Sequence, residues 1–172
     1  MPVSVVSRSR LTGVSSARVA ADVRCLLRML GEPHAELTVS LVNDDQIHQL
    51  NRDYRGKDRP TDVLAFAMRE GARAPRDDVV LGDVIVSLET AARQARRRRV
   101  PLAAEVRCLL IHGVLHLLGY DHERSTAEAR RMRTMERRLR RRLEQGVHQP
   151  AGDAKRAVPR RPQPTAQRSG RG

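Results

Sequence analysis

"PLAAEVRCLLIHGVLHLLGYDH", residues 101–122, is the stretch on which the fold turns. Pro101 suits a first helical turn, where a missing N–H costs nothing. Gly119 suits a stop. Between them the predicted helix is apolar on both flanks of its histidines, so that face points into the body or into a cleft. His112 and His116 are four residues apart and project from one side of the helix. Gly119 lets the chain reverse, and the "YD" that follows brings His122 back toward the pair.

The elements around this helix are legible from pattern. "PVSVVS" at the start reads as a β-branched strand, and "AELTVSLV" alternates Leu37, Val39 and Leu41 as a second strand. Val19, Val23, Leu26, Leu27 and Leu30 recur at helical spacing over residues 15–30, with Gly31 as a stop. "NDDQIHQLNRDY" opens on an Asn/Asp cap and predicts a helix. A Gly/Pro-punctuated loop leads to a strand near residues 62–68, then a loop over 69–78 and a strand over 79–87. Residues 88–99 predict a helix ending in "RRRR", and "STAE" predicts a capping box for a last helix at about 126–144. The sum is α/β (α+β): a single domain over residues 1–145, with a small, roughly four-stranded mixed sheet packed with about five helices.

Composition narrows the class. With 172 residues there is enough chain for one core. Aromatic residues make up only 2%, so that core must come from aliphatic side chains and Met. Cys25 and Cys108 fall inside apolar helical patterns and read as buried, reduced thiols. The N-terminal residues show no apolar run of signal-peptide length, and nowhere do about 18 apolar residues follow one another. A cytoplasmic protein without a membrane partner is expected. The net charge of +13 is uneven: residues 1–123 carry +2, residues 124–144 carry +6 and residues 145–172 carry +5. That asymmetry points to a polyanion approached from the C-terminal end. The Pro-, Gly- and Arg-rich segment 146–172 predicts a basic, disordered tail.

The spacing H-x-x-x-H-x-x-x-x-x-H is that of a zinc site with three imidazole ligands, His112, His116 and His122. Three protein ligands leave a fourth position for water or substrate, which is the catalytic arrangement. Zinc proteases of this spacing carry a catalytic Glu directly after the first histidine, and here that residue is Gly113. A zinc-bound water reaches a pKa of about 7 without such a neighbour. Asp121 or Glu123 could serve as base or as a partner behind the ligands.

The residues around this site resemble the YbeY-type endoribonucleases, the ribosomal-RNA maturation factors. "HGVLHLLGYDH" is similar to the family signature. "LNRDYRGKDRPTDVLAF", residues 50–66, resembles the block L-N-x-x-Y-R-x-K-D-x-P-T-D-V-L-S-F, and "LGDVIVS", residues 81–87, resembles L-G-D-I-x-I-S. Ala65 replaces the usual Ser, and Ala67 the proline common after Phe66. The resemblance implies a single α/β domain, one Zn2+ per chain on the three histidines, and single-strand-specific RNA cleavage. It also implies a role in small-subunit rRNA 3′-end maturation and ribosome quality control, with ribosomal RNA and the ribosomal small subunit as partners. The family's functional arginine falls on Arg55, whose guanidinium can hold a phosphate with two parallel bonds. Arg55 and His116 are therefore the expected catalytic residues, with Lys57 and Arg59 as added RNA contacts. Two other classes stay open at this point: a non-catalytic, zinc-stabilised ribosome-assembly factor, and another zinc hydrolase, against which Gly113 argues.

Overall fold

The computed structural model describes residues 3–69 and 79–146. Its elements run β1 (Val3–Ser7), α1 (Ser16–Met29), β2 (Glu36–Val42), α2 (Asp44–Arg55), β3 (Val63–Ala67), β4 (Val80–Ser87), α3 (Leu88–Arg98), α4 (Leu102–Leu117) and α5 (Thr126–Gly146). Five helices and four strands match the sequence expectation, with element ends displaced by one or two residues. Most of the expected 69–78 loop and the 147–172 part of the expected tail lie outside the described residues.

The sheet order is β1-β2-β4-β3. β1, β2 and β4 are parallel, and β3 returns antiparallel along the edge of β4. Period-2 alternation turns Leu37, Val39 and Leu41 of β2 and Val84 and Val86 of β4 to one face. Val19, Val23 and Leu27 of α1 and Val106, Leu110, Val114 and Leu117 of α4 cover that face. The opposite face presents Leu64, Ile85 and Phe66 to Ile47 and Leu50 of α2.

α4 is enclosed on two sides, which explains its nearly unbroken apolar sequence. While one side meets the sheet, Ile111 and Leu115 on the other pack with Leu26 of α1 and with Met132, Leu139 and Leu143 of α5. The expected apolar stripe of α5 is thus buried, with Met135 only partly covered. Gly113 lies where α4 presses on the sheet. A Cβ there would come within 2.7 Å of Val84 Cγ1, so any side chain forces Val84 or the helix to give way. The glycine in the protease Glu position therefore has a packing cause.

Two local expectations need correction. Both cysteines are free, but each is half-buried rather than sealed in the core. The capping box of α5 is only half formed. Ser125 Oγ accepts from the Glu128 N–H at 3.1 Å, while Glu128 Oε2 is buried with no hydrogen-bond partner. The full reciprocal box occurs at α2, where Asn43 and Gln46 exchange both bonds. Among the described residues no single helix is long and apolar enough to cross a membrane.

Candidate metal centre and active-site cleft

α4 delivers two of the three histidines on its last turns, and Gly119, at φ +93°, turns the chain so that His122 follows from the loop. The candidate ligand atoms of His112, His116 and His122 all lie within 4.8 Å of one another. His112 Nε2 and His116 Nε2 are 3.0 Å apart. Nitrogens bound tetrahedrally to one zinc ion at 2.0–2.1 Å stand about 3.3 Å apart, so the His112–His116 pair is already near that separation. The triad can hold a metal ion.

Each ligand has its own surroundings. His112 Nδ1 donates to Glu136 Oε1 at 2.6 Å, which fixes the tautomer and leaves Nε2 as the free lone pair. His116 is half-buried, and burial is the largest cause holding it below the ordinary imidazole range. Repulsion from His112, His122 and Arg55 adds to that, while Asp121 opposes it. These effects favour the neutral form, the one that binds a metal.

The triad opens into a cleft of about 390 Å³, with Arg55, Asp62, Gly113, Asp121 and Glu123 also on its walls. Arg55 ends α2, and Gly56 caps that helix in the left-handed conformation at φ +66°, turning the chain away behind it. Lys57 and Arg59, though only two and four residues on, are not among the cleft residues. The Lys57 N–H bonds to Asn51 O, and Arg59 O accepts from Asn51 Nδ2, which ties this loop back onto α2. Asp121 does face the cleft, but its oxygens are occupied. Oδ1 accepts from the Glu123 N–H at 2.8 Å, and Oδ2 meets Arg124 at 3.4 Å. That arrangement suits a residue shaping the loop that carries His122.

The model of the family described as Endoribonuclease YbeY matches residues 10–144. The chain belongs to the YbeY endoribonuclease family. It is 44% identical over 147 residues to an endoribonuclease YbeY of Geobacter sulfurreducens, covering 85% of this chain and 98% of the relative. The Syntrophotalea carbinolica member is 52% identical over 123 residues, covering 71% of this chain and 77% of the relative. In fold, the chain is similar to a Thermotoga maritima protein solved in solution, with a TM-score of 0.60 at 24% identity. That likeness covers 91% of this chain and 99% of the other.

Two residues around the histidine triad of this YbeY member, Glu136 behind His112 and Asp62 on the cleft wall, were not picked out by sequence reasoning. Glu136 lies 24 residues after His112, beyond any local motif. Its signal is its phase: it follows buried Met132 by four and precedes buried Leu139 by three, so a carboxylate occupies an inward position. Asp62 stands in the family block beside Pro60 and Thr61. Its Oδ1 accepts from the Val63 N–H and its Oδ2 from Gln94, which holds the start of β3 against α3.

Proposed function

We propose that this YbeY family member is a zinc-dependent endoribonuclease that cuts single-stranded RNA in the cytoplasm. We assign it to the maturation of the small-subunit rRNA 3′ end and to ribosome quality control, with residues 1–145 as the nuclease domain. The observation that supports this most is the meeting of Arg55 with His112, His116 and His122 in one cleft, although more than fifty residues separate the arginine from the histidines in sequence.

Three imidazoles and no thiolate make a donor set suited to one zinc ion per chain. A zinc ion held there supplies a Lewis acid for a phosphoryl oxygen and an acidified water. The chain's own residues do the rest. Arg55 grips the scissile phosphate through its planar fork and offsets the charge that grows on the phosphoryl oxygens during attack. Glu136 keeps His112 in one tautomer and orientation. Asp121 holds the His122 loop in shape through the Glu123 N–H. Lys57 and Arg59, exposed beside Arg55, extend the positive field at the cleft edge.

The test is cleavage of a structured rRNA fragment by the wild-type protein and by His116→Ala, with metal analysis of both. The wild type should carry about one zinc per chain and cut the fragment, and the variant should lose both. Cleavage by zinc-free His116→Ala would overturn the proposal. Zinc-loaded wild type that binds the fragment without cutting it would favour a non-catalytic assembly factor.

A further inference from the structure

Beside the metal cleft lies a second, larger groove of about 610 Å³, between α3, α4 and α5. The two share Asp62 and His112 in their walls, so they are adjoining parts of one surface. The groove is lined by Arg97 and Arg98 from α3 and by Arg133, Arg137 and Arg140 from α5. Two of these are engaged: Arg98 with buried Glu105 at 2.9 Å, and Arg140 with Glu144 at 3.9 Å. Arg97, Arg133 and Arg137 are exposed and make no ion pair among the described residues.

A solvated helix face normally mixes its charges, because like charges one turn apart weaken a helix. Here Arg133 and Arg137 are spaced i, i+4, and the acidic residue between them in sequence, Glu136, is committed to His112. Arg137 also lines a further hollow with Arg138, Arg141 and Arg142, so positive charge continues along α5 from the metal side. Free guanidinium groups in a concave wall match the oxygens of a phosphodiester chain.

We infer that this groove binds the sugar–phosphate backbone of the RNA strand flanking the scissile phosphate, through Arg97, Arg133 and Arg137. It deepens the nuclease reading above and rests on it for the position of the cut. A strand with one phosphate at Arg55 passes His112 and enters the groove, and each arginine there neutralises a phosphate without reading its base. The groove therefore sets substrate length rather than sequence.

The experiment has a binding arm and a turnover arm. Binding of a long unstructured RNA is measured against salt in an Arg55→Ala background, which limits cleavage, with and without Arg133→Ala and Arg137→Ala. Single strands lose about 0.7 in the log–log salt slope per released phosphate contact, so removing two arginines should make the slope shallower by about 1.4. Turnover compares kcat/KM on the long RNA with that on a trinucleotide in otherwise wild-type protein, and the double variant should lose most of the preference for length. Arg8→Ala, at the far edge of the sheet beyond β1, should alter neither. Equal slopes and equal length preference in wild type and double variant would overturn the inference. So would a polyglutamate chain whose affinity falls as much as that of RNA, because the groove would then take any polyanion. The binding arm does not depend on cleavage, so a failure of the nuclease reading would show in turnover alone.

Discussion

At the scale of single residues, the metal centre depends on an atom outside its own motif. Glu136→Gln should weaken metal affinity about 10- to 100-fold while leaving the fold intact, as read by competition with a chelator of known affinity. Unchanged affinity would reduce the 2.6 Å bond to His112 to a surface contact. Arg55→Ala should retain metal and fold but lose most RNA cleavage, and Arg55→Lys should restore only part, since a point charge lacks the two-pronged fit. Full activity in Arg55→Ala would remove it from the mechanism. Gly113→Glu, which rebuilds the protease-like pattern, should lower the unfolding midpoint rather than create a peptidase, because its Cβ meets Val84. Overpacking of this kind costs about 1–3 kcal/mol, and Val84→Ala in the same chain should recover part of it. The triad itself was legible because its three members lie within eleven residues and the helix repeat does the folding. Glu136 was not, because its role depends on how α5 docks against α4, and no local spacing encodes that. Lys57 and Arg59 show the opposite relation between sequence and space. They are near Arg55 in sequence, but the left-handed turn at Gly56 carries them away from the cleft.

At the scale of elements, hydrophobic period and caps located all nine, since each buries one stripe or one strand face. The sheet order was not legible, because which strand pairs with which depends on packing between distant segments. β4 enters between β2 and β3, and nothing in its own eight residues says so. The junction of α2 and α3 shows how such distant contacts are pinned. Asp44, in the first turn of α2, accepts from Ser87 Oγ and Thr90 Oγ1 at 2.6 Å each and from Arg93 at 2.7 Å. Burial pushes its carboxyl up, but these donors together outweigh burial and hold it below the ordinary value of 3.8. A carboxyl depressed in the folded state stabilises the fold above its unfolded value, and the gain is lost as pH falls through the lower folded one. Asp44→Asn should therefore cost about 1.5–3 kcal/mol near neutral pH, as for hydrogen bonds to a charged group. The gap from wild type should narrow as acid is added, in urea unfolding followed at several pH values. A gap independent of pH would show that the charge of Asp44 does not matter.

At the scale of the whole molecule, charge is segregated by position along the chain. Residues 124–172 hold +11 of the net +13, and α5 brings part of that beside the metal cleft. Residues 147–172 add positive charge whose effect is testable by deletion. Truncation there should leave metal content and cleavage of short RNA intact, lower affinity for long RNA, and make the salt slope shallower. Identical slopes and affinities would make the segment an inert extension.

The dependence of His112 on α5 has a consequence for synthesis. A ribosome makes the chain from its N-terminus, so the sheet and all three histidines emerge before residue 136. Until α5 follows, Ile111 and Leu115 lack the part of their cover that Met132, Leu139 and Leu143 supply, and His112 lacks its carboxylate. A nascent or prematurely ended chain would thus carry the complete histidine motif without a finished centre.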